Sequence, residues 1–187
     1  MISMGKILFA TDFSQEKGVF VLKLTGEVRV TQGPTIAKFL ETFGENQAYQ
    51  VVIIDLTESI NLDSTTLGLL AKLAIKSKKV FDITPTIFST NPDICRILDS
   101  MGFEQLFTLV YTDPESCPEV EELPTQIASE ETMRNQVLDA HKILMSMNEN
   151  NRACFCNLVD ALEEEQKNCS AISDDGREKK DSIRKTG

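Results

Sequence analysis

Three hydroxyls in succession follow an aspartate at Asp63-Ser64-Thr65-Thr66, and nowhere else in the chain do residue types and spacing point so directly to chemistry. An Asp in the N-cap position accepts the free backbone N–H of Thr65 or Thr66 and so starts a helix. A helix N-terminus offers unbonded N–H groups and the positive end of the dipole, a place that favours added negative charge. Two readings follow. The hydroxyls are capping chemistry and nothing more, or one of them accepts a phosphoryl group.

Other chemistries have less to draw on. His141 is the only histidine, so serine, cysteine or metal chemistry that needs a second one finds none. It sits in a helical pattern among apolar residues and reads as a satisfied core or a surface histidine. The nine glycines are scattered and form no phosphate loop, and the carboxylates show no spacing of a paired acid and base. Cys95, Cys117, Cys154, Cys156 and Cys169 are odd in number and match no metal spacing, which reads as free thiols in a reducing cytoplasm. A receiver domain phosphorylated on Asp55 needs an acidic cluster for magnesium and a lysine after a later strand. Asp12 offers one acid, but no lysine follows Leu106–Tyr111, and the receiver is rejected. No cofactor and no metal site is expected.

The elements that position the hydroxyls are legible on both sides. Val51–Ile54 is a continuous β-branched run, the pattern of a strand buried on both faces, and a short polar turn follows it. The helix beyond Asp63 has Leu67, Leu70, Ala71 and Ala74 on one face, with Lys72, Lys76, Lys78 and Lys79 weighting its far end. Asp55 to Gly68, Asp-Leu-Thr-Glu-Ser-Ile-Asn-Leu-Asp-Ser-Thr-Thr-Leu-Gly, resembles the signature of STAS domains, the anti-sigma-factor antagonists. That signature is a strand ending in Asp-Leu-Ser, five or six residues, then Asp-Ser-(Ser/Thr)-Gly-(Leu/Ile)-Gly. One departure is Thr66, where the family has a glycine.

The resemblance implies an α/β sandwich with a mixed, largely parallel sheet. It implies that Ser64 is phosphorylated by a partner kinase and cleared by a cognate serine phosphatase, with Thr65 and Thr66 as neighbouring alternatives. Asp55, Ser59, Asp63, Thr65, Thr66, Leu67 and Gly68 are then expected to form the partner-binding surface. The partner implied is a bacterial anti-sigma factor or similar switch-protein kinase, bound when Ser64 is unphosphorylated, and the chain is no enzyme. The alternative is a STAS accessory subunit that docks on a transporter ATPase without phosphorylation.

Strands are expected at Lys6–Phe13 and Val19–Leu24, joined by a turn at Ser14–Gly18, and at Pro85–Ser89 and Leu106–Tyr111. Helices are expected at Pro34–Phe43 and from Asn91 to Gly102, with Pro92 in the first turn. This gives a STAS-like domain over 1–112. Residues 113–128 read as an acidic, proline-containing linker. A helical extension spans 129–166, with one stripe at Met133, Val137, Ala140, Leu144 and Met147 and another at Phe155, Leu158, Val159 and Leu162. The first is expected to pack on the domain or on the second as a helical hairpin; the second either packs likewise or recruits a partner or a second copy, as in a homodimer through the C-terminal helices. Residues 167–187 read as a disordered tail.

Composition excludes whole classes of function. A net charge of -10 in 187 residues argues against nucleic acid and anionic membranes, which need basic patches. The apolar runs are far short of a membrane span, and the short run after Lys6 is no secretory signal. A cytoplasmic regulatory protein is the expectation.

Overall fold

In a computed structural model the chain is described over residues 5–12, 18–44, 49–114 and 118–183, with the backbone alone from 168. Lys6–Asp12 (β1) and Val19–Val28 (β2) form the opening antiparallel hairpin, whose turn at Ser14–Gly18 lies largely outside the described residues. Gly33–Thr42 (α1), Val51–Asp55 (β3), Ser59–Leu62 (β4) and Ser64–Phe81 (α2) follow. Then come Thr86–Phe88 (β5), Pro92–Ser100 (α3) and Thr108–Val110 (β6). Glu121–Glu122 (β7), Glu130–Met147 (α4) and Glu149–Ile183 (α5) complete the chain.

The sheet runs β6-β5-β3-β2-β1-β7, with β4 continuing the β2 edge. β2, β3, β5 and β6 are parallel to one another, β1 runs antiparallel to β2, and β7 in turn runs antiparallel to β1. This is the mixed, largely parallel α/β arrangement that the alternation of strands and helices predicts. In register, Phe20 lies opposite Val52 and Leu22 opposite Ile54, and all four are sealed in the core. Val51 and Ile53 point to the other face and are only half-buried, so the continuous apolar run overstates the cover on that side. Phe20, Phe43, Tyr49 and Phe81 add a group of ring contacts under α1 and the end of α2.

Two strands escape the sequence pattern. Residues 59–62, expected as part of a polar turn, form β4, which pairs in parallel with β2 at Gly26–Val28 past an irregularity in register. Within the segment expected as linker, β7 pairs with β1, Glu122 bonds Lys6 at 2.8 Å and the Leu123 N–H donates to the Ile7 carbonyl.

The C-terminal helices form a hairpin. α4 lies on α2 and touches α1, and α5 packs along α4. The first apolar stripe packs on the domain, with Ala140 and Leu144 fully covered. α5 continues as helix to Ile183, where the sequence reads as a disordered tail from 167. Its Glu, Lys, Gln and Arg are good helix formers, and they extend a helix already nucleated by packing on α4.

Candidate functional site

Helix α2 begins as its sequence requires. Asp63 is extended (φ -85°, ψ 168°) and its Oδ1 accepts the Thr66 N–H at 2.8 Å. The three hydroxyls then part company. Thr65 is buried against α1, its Cγ2 3.9 Å from where a Gly33 side chain would start. Thr66 shares a face with Leu70, Leu73 and Ser77, all sealed from solvent, and its Oγ1 has no hydrogen-bond partner. The bulk brought by Thr66 is thus turned into the core, where an unpaired hydroxyl costs about 1–3 kcal/mol. Ser64 alone of the three is half-exposed. Leu67 and Gly68 are buried.

Asp55 and Ser59 lie beneath the surface. Asp55 is 1% exposed and accepts from the Thr57 N–H at 2.9 Å and the Thr57 hydroxyl at 2.6 Å. Lys23 pairs with it at 3.2 Å and with Glu58 at 2.6 Å. Burial alone would lower the Lys23 ammonium, but the Glu58 and Asp55 carboxylates outweigh it and hold its pKa above the ordinary value. Ser59 is buried, and its hydroxyl donates to the Leu24 carbonyl at 2.7 Å, fastening β4 to β2. Exposed here are Glu58 in the β3–β4 turn and Ile60 and Asn61 of β4, with Ile60 53% exposed.

The neighbour that the sequence reading did not bring to this place is His141. Its Nε2 lies 2.8 Å from Ser64 Oγ, and its Nδ1 lies 2.7 Å from the Val137 carbonyl of its own helix. A carbonyl only accepts, so Nδ1 carries the hydrogen and the neutral ring leaves Nε2 to accept the Ser64 hydroxyl. The imidazole is 2% exposed and meets the Phe155 ring of α5 edge-on, with centroids 5.0 Å apart. One turn along, α2 and α4 touch backbone to backbone. A side chain begun on Gly68 would stand 2.5 Å from the Ala140 carbonyl oxygen and 2.6 Å from its Cβ. Only a glycine lets α4 come so close.

A parallel sheet with an antiparallel opening hairpin, and a capped helix that begins with Ser64 beyond its central strand, agree with the motif. The decisive comparison is with whole families: the STAS domain profile matches residues 10–117. The chain belongs to the STAS domain family. No curated protein matches its sequence. Among solved structures it is similar to an anti-sigma factor antagonist from Mycobacterium paratuberculosis, at 21% identity and a TM-score of 0.47, covering 57% of this chain and 86% of that one. It is also similar to an uncharacterized DUF3478-family protein with a SpoIIAA-like fold from Shewanella loihica PV-4, at 16% identity and a TM-score of 0.46, covering 60% and 90%.

The matched residues end at 117, and α4 and α5 follow them. Among the described residues no three His, Cys, Asp or Glu side chains gather as a metal site, and no helix is long and apolar enough to cross a membrane. Cys95, Cys154 and Cys156 carry free thiols; Cys117 and the Cys169 side chain lie outside the described residues. A single histidine with apolar residues one turn away on each side was the one signal for the Ser64 contact, and a helical pattern alone does not say which surface it meets.

Proposed function

We propose that the STAS domain is the acceptor and docking element of a phosphorylation switch. Unphosphorylated, the face around Ser64 binds an anti-sigma factor or a comparable switch protein, and a phosphate on Ser64 releases that partner. A kinase and a serine phosphatase act on the chain, which has no catalytic role of its own, and the setting is the bacterial cytoplasm. The observation that carries the reading is that Ser64, of the three adjacent hydroxyl residues, is the one that is not buried.

The electrostatics suit a switch. A phosphate adds a charge of about -1.5 to -2. The first turn of α2 holds no acidic residue, and the helix dipole favours the added charge. Asp63, next in sequence, opposes it by about 1 kcal/mol in water and about 4 kcal/mol near a protein surface, for unit charges about 4 Å apart. Within the free chain these effects roughly offset. At an interface the phosphate must also lose water, and nothing there compensates.

Intact-mass and peptide analysis of the chain purified from its own cells tests this. The expected result is a phosphate on the peptide containing Ser64, absent in Ser64→Ala. Binding to the co-purifying partner should persist in Ser64→Ala and weaken in Ser64→Asp. Equal affinity for the wild type and both variants would reduce Ser64 to a neighbour of the cap.

A further inference from the structure

The Ser64 face is already occupied by this chain's own helix. Ser64 is bonded to His141, and Gly68 lies under Ala140, so α4 covers the flank of α2 that contains both. We propose that α4 and α5 form a displaceable cover, holding in cis the site that a helix of the partner takes in trans. The proposal rests on the Ser64 reading above only for what the cover excludes.

The way the hairpin is tied supports a body that moves as a unit. Lys142 pairs with Glu163 at 2.6 Å, Arg134 with Glu165 at 3.8 Å, and Gln166 donates to Asn135 at 3.0 Å. All three join α4 to α5 rather than to the STAS domain. Of the 18 residues of α4, Leu138, Ala140, His141 and Leu144 are buried, and Ile143 and Met147 pack half-buried on the core. The STAS core is built mainly from the sealed side chains of β2, β3 and the inner face of α2, and the cover contributes Leu144 alone to that sealed cluster. At the hairpin's turn, Asn148 and Asn151 both donate to the Met101 carbonyl, at 3.1 and 2.9 Å, and act as the pivot. The Asn151 Oδ1 is buried there without a partner, a deficit that water would relieve on opening.

The same contact specifies the partner's chemistry. Close approach over Gly68 admits a helix with a small residue at the crossing, as Ala140 is here. One turn away that helix needs an acceptor for the Ser64 hydroxyl, as His141 supplies here. A partner with this pattern competes with α4 for one surface.

Hydrogen exchange of the full chain, read by mass spectrometry, tests displacement. Amides of residues 137–144 should exchange at least about tenfold faster than those of β3, since a locally opening unit exchanges below the global limit. Ala140→Leu, on the cover and not on the STAS domain, should raise exchange in α4 by a further order of magnitude or so and leave β3 unchanged. His141→Ala should act in the same direction with less bulk. A fluorescent peptide of residues 129–148 tests the face itself, and should bind the Ala140→Leu chain on the order of tenfold more tightly than the wild type. Exchange of α4 in step with β3 in all three chains would make the hairpin a permanent part of the core. Peptide binding that is equal in both chains, or absent from both, would overturn the competition. None of these measurements involves a phosphate, so they can succeed where the mass analysis of Ser64 fails, and the reverse.

Discussion

Helices α2 and α3 of the STAS domain begin alike and end up in opposite surroundings. Each is entered from an extended Asx residue, Asp63 or Asn91, whose side chain accepts a first-turn N–H at 2.8 or 3.0 Å. After Asn91, Pro92 and Asp93 lie in solvent, and Asp93 pairs with Arg96 along its own helix. After Asp63, Thr65 and Thr66 are buried and Ser64 bonds to a histidine 77 residues away. Capping geometry is therefore no mark of a functional site. The distinguishing features at α2 are a glycine one turn in, which admits another backbone, and a helix from outside the domain that has taken the opening.

The largest test removes that helix. A fragment ending near Thr112 makes the start of α2 as open as the start of α3. It loses the burial of Leu138 and Leu144 among others, and each fully buried leucine contributes about 1.5–3 kcal/mol. With about 4–8 °C lost per kcal/mol in a domain of about this size, the melting temperature should fall by more than about 10 °C. The transition should stay cooperative, because most of the core cluster, Leu22, Ile54, Leu70 and Phe103 included, comes from the fragment, and α4 adds only Leu144 to its sealed side chains. A circular-dichroism melt with no transition, for this fragment and for one ending near Pro124 that keeps β7, would place the hairpin inside the core and dissolve the contrast between the two helix starts.

The next test compares matched positions, five residues beyond each cap. Gly68→Ala drives a methyl into Ala140, and such overpacking costs about 1–3 kcal/mol. It also gains about 1 kcal/mol of helix propensity, so the net loss is on the order of 1 kcal/mol. Arg96→Ala removes an exposed side chain and should change stability by less than about 0.5 kcal/mol. In the fragment ending near Thr112 the clash is gone, and Gly68→Ala should then stabilise by up to about 1 kcal/mol. Urea midpoints of the five proteins, the three variants and their two parents, decide it, and a Gly68→Ala effect of the same sign with and without the hairpin would mean that Ala140 yields freely.

Much of one helix start was legible in the sequence and little of what covers it. Asp63, the β-branched run before it and the apolar positions after it specify α2 locally, as Asn91 and Pro92 specify α3. What was not legible depends on distant pairing. Residues 59–62 bury only Ser59 and Leu62, too weak an alternation to announce β4, which exists because the end of β2 offers it an edge. β7 is two exposed glutamates that only their contact with β1 makes a strand. On α4 the apolar stripe was visible, yet it omitted Leu138 and His141, both buried, because a histidine reads as polar until its acceptor and donor are known. Asp55 and Ser59 read as surface residues from the motif, whereas Lys23 and the Leu24 carbonyl hold them below it.

A smaller effect is expected at the bond between the two helices. Ser64→Ala leaves the buried Nε2 of His141 without its donor, and an unmet acceptor costs about 1–3 kcal/mol. The double-mutant cycle with His141→Phe should return a coupling of about 0.5–1.5 kcal/mol, the net worth of one hydrogen bond. No comparable coupling should exist between Asp93 and any residue of the hairpin. Additive effects of Ser64→Ala and His141→Phe would show that the contact carries no energy, and would make the start of α2 equivalent to that of α3 in all but its cover.

The smallest difference is predicted at the caps themselves. Asp63→Ala and Asn91→Ala each remove one side-chain acceptor from a first-turn N–H, a loss of about 1 kcal/mol wherever it has been made. The Asn91 amide also donates to the Ser59 and Ile60 carbonyls; both bonds are long, at 3.2 Å, and the one to Ile60 is open to water, so they add little. At Asp63 the carboxylate additionally faces the positive end of the α2 dipole, which contributes about 0.3–1 kcal/mol and is screened by salt. The two variants should therefore agree to within about 1 kcal/mol at low ionic strength and converge as salt is added. Thermal melts of both across a salt series make the comparison. A gap that stays above about 2 kcal/mol at high salt cannot come from capping or from the dipole. It would mean that Asp63 also holds the first turn in the position that α4 requires, and that the cap belongs to the cover as well as to the helix.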